Sequence, residues 1–168
     1  MKGFLSCLNV GPVSPAEAVR RGWLKPGVVP PGFDLAPGAV PIGSNLFVDG
    51  GRQYAVYALA FRAPATDYTI QQFAVGTGTA APAVTNVALE NPVAFSSGAF
   101  GKQVDTIQFT APFTMNVVFT LGAADCNGYA LTEFGLLAGD GTLMARVVQP
   151  AVNKVSAWSP SLSWQLRF

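Results

Sequence analysis

Three charged side chains stand close together in the stretch LTEFGLLAGDGTLMARVV, residues 131–148, and they are the first candidates for chemistry. Glu133 lies in one apolar run, Arg146 lies in the next, and Asp140 stands between them beside a glycine. Asp140-Gly141 is typical of a tight primed turn between two strands, because both residue types tolerate left-handed backbone. The stretch therefore predicts a β-hairpin in which Glu133 pairs with Arg146 across the strands or accepts backbone N–H groups near a strand end.

The residue types that catalysis and metal binding require are otherwise scarce. The chain contains no histidine, which removes the commonest general base and metal ligand. Its nine acidic residues stand singly, mostly beside turn residues, so neither a carboxylate pair nor a calcium loop is predicted. No Ser-x-x-Lys spacing supplies a lysine base. We therefore expect no catalytic, cofactor-binding or metal-binding residues and no enzymatic activity.

Two further features look chemical but have simpler interpretations. The stretch GTGTAAP, residues 76–82, lacks the Gly-Lys-Ser/Thr ending of a phosphate-binding loop, and a turn at the end of a strand is the favoured interpretation. Cys7 and Cys126 have no second Cys or His at ligand spacing, which excludes a zinc site. A disulfide between them stays open, although two reduced thiols are favoured.

Composition indicates a single, mainly β domain. Half of the 168 residues are apolar, 11% are charged, and 18 glycines and 13 prolines are present. The net charge of +1 comes from scattered side chains, which argues against nucleic-acid binding. The first residues are too interrupted for a secretory signal, and no apolar run is long enough to span a membrane. We expect a soluble protein, made in the cytoplasm, that binds neither nucleic acid nor membrane.

Proline divides the chain into an arm and a body. Residues 1–45 carry seven of the 13 prolines, interleaved with single apolar residues. Because proline lacks an N–H donor and restricts φ, we expect an extended N-terminal arm here and no central strand. Four large side chains of the arm are predicted to bind a partner: Trp23, Leu24, Phe33 and Leu35. The alternative is that the arm packs only on its own body.

One short helix is predicted within the arm, near residues 15–21. Ser14 can cap this helix, Pro15 occupies its first position, and Glu17 completes a capping box. The two arginines of the last turn are favoured by the helix dipole, so they require no nucleic acid as an explanation.

The body, residues 46–168, is predicted to be a jelly-roll-like β-sandwich with one buried helix. The helix is assigned to RQYAVYALAFRA, which begins at Arg52. Strands are predicted over TIQQFAVG, VDTIQF, TMNVVFTL, YALTEFGLL, TLMARVV and SLSWQLRF. In the last stretch Leu162, Trp164, Leu166 and Phe168 are expected to face inward and the polar residues between them outward. We also expect the body to fold without the arm.

Three parts of the chain resemble small structural proteins of tailed bacteriophages. They are NLFVDGGRQYAVYALAF (45–61), FAVGTGTAAPAVTNVALENPV (73–93), and LTEFGLLAGDGTLMARVV (131–148) followed by VNKVSAWSPSLSWQLRF (152–168). In those phage proteins a helix precedes a strand that ends in Gly-x-Gly-Thr, and an I-T-E-x-G-L strand, a D-G turn and a W-x-[LI]-x-F strand follow. The likeness leaves out the arm and residues 94–128. Asn91-Pro92 departs from the family, in which a charged strand start is common.

The resemblance implies a protein of the virion that acts by assembly and has no catalytic residue. In first place we expect a capsid decoration or cement protein that clamps neighbouring subunits with its arm. The alternatives are a neck, tail or baseplate component, and a receptor- or glycan-binding module of a tail fibre. The expected partners are the major capsid protein or neck and tail proteins, and further copies of the chain in a homo-oligomer, for which a trimer is expected.

Overall fold

The computed structural model describes residues 2–9, 40–61, 69–111 and 114–167. This part of the chain is mainly β, with antiparallel strand pairs and one helix. The elements in chain order are β1 (Lys2–Asn9), β2 (Val40–Phe47), α1 (Asp49–Phe61), β3 (Ile70–Gly76), β4 (Pro92–Val93), β5 (Lys102–Gln103), β6 (Thr106–Ala111), β7 (Thr114–Thr120), β8 (Ala130–Ala138), β9 (Leu143–Asn153) and β10 (Ser161–Arg167).

The strands form one sheet in the order β4-β3-β8-β9-β2-β1-β10-β7-β6, and β5 pairs with β3 beside β4. The chain crosses from one end of this order to the other between β5 and β6. Val104 N donates to Gln71 O at 3.0 Å, and Asp105 N donates to Val118 O at 2.8 Å. The two ends of the sheet therefore lie next to each other, so the sheet is strongly curled.

The main core lies inside the curled sheet. The rings of Phe73 on β3 and Phe119 on β7 stack with centroids 4.2 Å apart, although their strands are distant in the sheet order. Phe95 meets Phe73 edge-on at 5.2 Å. Trp158 and Trp164 are fully buried in the same cluster. Packing of one half of the sheet against the other is consistent with a β-sandwich-like fold.

A smaller apolar cluster lies on the opposite face of β3, β8 and β9. Its buried members are Val48, Ala74, Leu89 and Leu143. Two backbone hydrogen bonds hold the entry to α1 over this face, from Val48 N to Met144 O at 3.0 Å and from Asp49 N to Val84 O at 2.8 Å. The loop of residues 77–91, which contributes Leu89, therefore forms part of an outer layer together with α1.

The predicted helix and all six predicted strands of the body are present, but the expected burial of the helix is not seen at its residues 52 and 53, which are exposed. In β10 the expected inward residues Trp164 and Leu166 are fully buried, and in β7 the alternating residues Val117 and Phe119 are fully buried as well. One expectation for β10 is wrong, because its outward-facing polar residues Ser163 and Gln165 are also buried. Both faces of β10 are therefore covered by other parts of the fold. The alternation of apolar and polar residues along the strand does not reveal the cover over its polar face.

The hairpin turn differs from the primed turn that Asp140-Gly141 predicts. Gly141 has φ of +87°, but the positive-φ residues of the described chain do not include Asp140. Gly141 N donates to Ala138 O, and Ala138 N donates to Thr142 O. This is the longer hairpin connection in which a standard turn is followed by a glycine in the left-handed region.

The two ends of the segment predicted as an arm lie in the sheet. Residues 2–9 form β1 between β2 and β10, and residues 40–45 belong to β2. Pro41 is accommodated because the β1–β2 register shifts beside it, and β2 pairs with β9 only at Leu46 and Phe47. The missing proline donor is therefore not required by a ladder.

Three expectations for the arm lie outside the described residues. They concern the short helix near 15–21, the extended course of residues 10–39, and the partner-binding side chains Trp23, Leu24, Phe33 and Leu35. Independent folding of residues 46–168 does not follow from the topology, because that fragment lacks β1 and most of β2. Within the described ranges, α1 is too short and too polar to cross a membrane.

Candidate functional site

The carboxylate of Glu133 is the centre of the polar site on the outer face of the sheet. It is fully buried and comes from β8. Its oxygens accept hydrogen bonds from the backbone N–H groups of Glu90 at 2.6 Å, Asn91 at 3.2 Å and Gly78 at 3.3 Å. Arg146 adds a fourth donor, with Nε at 2.7 Å. Four donors compensate the desolvation of this buried anion.

Arg146 reaches Glu133 diagonally across the β8–β9 ladder. The residue directly opposite Arg146 is Gly135, two positions from Glu133 on the same face. The guanidinium is buried, and its Nη1 donates to Asn86 Oδ1 at 3.0 Å. Its Nη2 lies 3.7 Å from Glu90 Oε2, beyond ordinary hydrogen-bond length. One cation therefore ties the hairpin to two residues of the 77–91 loop.

The GTGTA stretch presents three successive backbone N–H groups to carboxylates. Gly78 N donates to Glu133, while Thr79 N and Ala80 N both donate to Glu90 Oε2 at 2.8 Å. Convergent amides of this kind form an anion-binding concavity. Here the anions are side chains of the same chain, so the amides that a phosphate would need are already occupied. The interpretation of GTGTAAP as a strand-end turn agrees with this geometry.

The glycines of the loop are required by the closeness of the acid. A Cβ atom on Gly76 would lie 2.6 Å from Glu133 Oε2, and one on Gly78 would lie 2.5 Å from the same oxygen. Neither separation is compatible with van der Waals contact. The Gly-x-Gly spacing therefore creates the space in which the buried carboxylate meets the loop backbone.

The two ends of the loop are also tied to each other. Thr77 N donates to Asn91 O at 2.9 Å, and Asn91 Nδ2 donates to Thr77 Oγ1 at 2.5 Å. From β8, Thr132 Oγ1 donates to Gly78 O at 2.8 Å. These contacts leave the loop closed at its base and held to the sheet along its length.

Asp140 lies at the far end of the hairpin and does not join Glu133 and Arg146. Its Oδ2 accepts a 2.5 Å hydrogen bond from the Tyr54 hydroxyl on α1, and its Oδ1 accepts one from Thr142 N at 2.9 Å. The Tyr54 hydroxyl and then the Thr142 amide hold the pKa of Asp140 below its ordinary value. Asp140 thus joins the helix to the turn, and it faces solvent.

A second buried carboxylate, Asp125, organises the loop between β7 and β8. It accepts hydrogen bonds from Lys102 Nζ at 2.6 Å, Ser96 Oγ at 2.8 Å and Gly122 N at 2.9 Å. Burial alone would raise the pKa of Asp125, but these donors, Lys102 first, outweigh burial and hold it well below its ordinary value. Asp125 therefore stays ionised, and because its oxygens already accept hydrogen bonds, it is not placed to accept a proton from a substrate.

The Lys154 ammonium is buried beside this loop and is bound by uncharged oxygens. Its Nζ lies 3.0 Å from Asn127 Oδ1, 3.0 Å from Val155 O and 3.4 Å from Ala123 O. Burial lowers the pKa of Lys154, and the negative charge of Asp125 opposes that shift. Three acceptors match the three donors of an ammonium, so this lysine closes the loop as a cation.

Cys126 stands between these two charged groups. Its thiol is free and buried, and its Sγ lies 3.7 Å from Ala94 O. Burial, followed by the charge of Asp125, raises the pKa of Cys126 to about 11. A thiol with a raised pKa is a poor nucleophile at neutral pH. Its φ of +50° shows that the loop imposes an unusual backbone here.

The predicted pairing of Glu133 with Arg146 and the predicted acceptance of backbone N–H groups by Glu133 are both observed. Sequence reasoning missed Glu90, Asn86 and Lys154. One feature of the sequence could have indicated Glu90: it is an isolated acid in the segment that follows a Gly-x-Gly turn, and the backbone amides of such a turn need acceptors. Lys154 had none, since two of its three acceptors are backbone carbonyls. Among the described residues, no three Cys, Asp and Glu side chains are placed to hold a metal ion.

Comparisons of the chain with protein-family models, with curated proteins and with solved structures gave no significant match.

Proposed function

We propose that this chain is a non-enzymatic structural protein of a tailed-phage virion, with capsid decoration or cement as its specific role. In this proposal a jelly-roll-like body carries the fold. A proline-rich arm clamps neighbouring subunits through Trp23, Leu24, Phe33 and Leu35. The partners are the major capsid protein and further copies of the chain in a homo-oligomer. No nucleic acid, membrane or cofactor takes part.

The observation that carries the proposal is that all the parts with the phage-protein resemblance meet in one structural unit. Gly78 and Glu90, from the second part, bind Glu133 or Arg146, from the third. Tyr54, from the first part, binds the turn of the third. The motif residues therefore support one another in folding, as the proposal requires of motifs that belong to one fold.

The use of the buried charges supports a structural role over an enzymatic one. Glu133 and Asp125 accept several hydrogen bonds each, Arg146 donates to Glu133 and Asn86, and Lys154 donates to three oxygens. An enzyme needs a base or nucleophile with a free lone pair directed at a substrate. In the described residues the buried charged groups instead fasten loops to the sheet, as a scaffold that must stay rigid requires.

The position on the virion is tested by counting copies. Virions from a producing host are purified, and the chain is quantified against the major capsid protein by mass spectrometry with labelled peptide standards. Copies on the order of hundreds support capsid decoration, because decoration follows the capsid lattice. A closed ring, about three to twelve copies, supports the neck, tail, baseplate or fibre alternatives. Absence of the chain from purified virions contradicts the proposal.

A further inference from the structure

The strand β6 ends the sheet with apolar side chains in solvent. Every described side chain from Thr106 to Phe109 is exposed. Phe109 is 80% exposed and Ile107 is 39% exposed. In the described part of the chain no strand pairs with the outer edge of β6. The outer edge of β6 therefore presents backbone N–H and C=O groups next to exposed apolar side chains.

Ile107 and Phe109 lie on the core-facing side of the sheet. In the β6–β7 ladder Ile107 stands opposite Val117 and Phe109 stands opposite Met115. Val117 is fully buried in the main core and Met115 packs against it. Residues directly opposite each other in a ladder share a face. The apolar side chains that face the main core on β7 thus continue across the ladder onto β6, where Ile107 and Phe109 are exposed.

The two edges of the sheet are protected to different degrees. On the side of β3, the edge consists of β4 and β5, which have two residues each, and β4 contains Pro92. Short strands and proline are devices that prevent edge-to-edge pairing. The edge strand β6 has six residues, TIQFTA, with neither charge nor proline. Its one irregularity is a register shift between Phe109 and Ala111.

We propose that β6 is a homotypic interface, in which β6 of a second copy of this chain pairs antiparallel with it about a two-fold axis at Gln108. In this register Ile107 lies opposite Phe109 of the second copy, and Phe109 lies opposite Ile107 of the second copy. The apolar rows of the two cores become continuous. Because the strand is uncharged, a two-fold axis brings no like charges together.

The difference between the edges selects a closed dimer. Pairing of β6 with the opposite edge of another copy would propagate into a filament. The short, proline-bearing opposite edge disfavours that arrangement, so between the two described edges the equivalent β6 is the favoured partner. The inference rests on the proposed assembly function for its biological role. It replaces the trimer expected from the sequence with a dimer for this contact.

The contact is small, so the dimer should form in a concentration-dependent way. An aromatic side chain buries about 150–250 Å² at most, and each copy contributes one phenylalanine and one isoleucine. Stable interfaces bury about 1,200–2,000 Å² in total. A reversible equilibrium between monomer and dimer is therefore expected, rather than a permanent complex.

The first test is sedimentation equilibrium of the purified full chain over a wide concentration range. We expect a monomer–dimer equilibrium without larger species. Three outcomes would each overturn the inference: a chain that stays entirely monomeric at the highest concentration, a trimer, or open-ended association. Particles are absent from this experiment, so its failure leaves the virion role to be decided by the copy count.

The second test uses charge to fix the register. Phe109→Glu alone should weaken dimerisation at least about tenfold, because it removes two buried aromatic contacts per dimer. Ile107→Lys combined with Phe109→Glu should restore dimerisation, since each introduced lysine then faces an introduced glutamate. Val87→Lys, at an apolar residue that is 87% exposed outside β6, is the matched control and should have no effect. Failure of the double variant to recover, or equal weakening by Val87→Lys, overturns the proposed pairing.

Discussion

Arg146 Nε lies 2.7 Å from Glu133 Oε1, and both side chains are buried between the β8–β9 hairpin and the 77–91 loop. This ion pair faces the outer layer of the fold rather than the main core. Each partner also binds the loop, through backbone amides in one case and through Asn86 in the other. Loss of either charge should therefore release the loop as well as the pair.

We expect Glu133→Gln to lower the free energy of unfolding by about 3–5 kcal/mol. The substitution keeps the size of the side chain but leaves the Arg146 guanidinium buried without its close countercharge. Urea unfolding followed by circular dichroism measures the change. Glu90→Gln is the control, because Glu90 is nearly half exposed and its charge is screened by solvent. Equal losses in the two variants would contradict a special role for the buried pair.

We expect the stability to fall in acid through Asp125. Its pKa is lowered in the folded state, so the carboxylate contributes stability above the ordinary aspartate pKa of about 3.9, and that contribution is lost as the pH falls toward the folded value. The groups facing it are Lys102, Ser96, Cys126 and Lys154. Asp125→Asn should flatten the curve of unfolding free energy against pH below about pH 4. Asp140→Asn, at an exposed carboxylate, should leave most of the slope in place.

We expect a loss of stability in alkali through Cys126. Burial raises the pKa of the folded thiol to about 11, so the unfolded chain loses its proton first and stability falls as the pH rises toward that value. Cys126→Ala should remove a loss of about 1–2 kcal/mol. The lowered pKa of Lys154 has the opposite sign, because there the unfolded chain holds its proton longer. Lys154→Met should therefore make the alkaline loss steeper, and a shallower curve would show that the signs are misassigned.

We expect a fragment of residues 46–168 to be less stable than the full chain. It lacks β1, which lies between β2 and β10, so the sheet is divided in its middle. Soluble yield and thermal unfolding of the two chains provide the comparison. A fragment with the same cooperative melting temperature as the full chain would show that β1 contributes nothing to the core.

We expect the double substitution of Trp23 and Phe33 by alanine to weaken attachment to the virion without lowering the melting temperature. Each large apolar side chain contributes about 1.5–3 kcal/mol when it is fully buried on a partner. Loading of the purified variant onto particles that lack the chain is measured beside its thermal unfolding. A variant that melts much lower but still loads at the wild-type level would indicate that the arm packs on its own body.

The local elements of the body could be predicted because each carries its own pattern. Apolar residues alternate in β7 and β10, and most of the inward set is buried: Val117 and Phe119 in β7, and Leu162, Trp164 and Leu166 in β10. The burial of Ser163 and Gln165 could not be predicted, because it depends on what covers the second face of β10. The partners of Glu133 were only partly predictable. Arg146 lies in the same hairpin, whereas Glu90 and Asn86 reach the site from a loop whose path is set by tertiary packing.

The sequence by itself determined the mainly β class, the helix, the hairpin and the structural use of Glu133 and Arg146, since these depend on residue spacing within one or two neighbouring elements. Only the tertiary structure decided that residues 2–9 and 40–47 lie in the middle of the sheet. Pro41 argued against a central strand, but the β1–β2 register shifts beside it and, among the described residues, β9 does not pair with that part of β2, so its N–H donor is not needed. The tertiary structure also decided that Ile107 and Phe109 are exposed at the edge of the sheet, although they lie opposite core residues of β7. The physical reason is that long-range strand pairing determines which edges meet, and no local pattern encodes the neighbour that a strand will have.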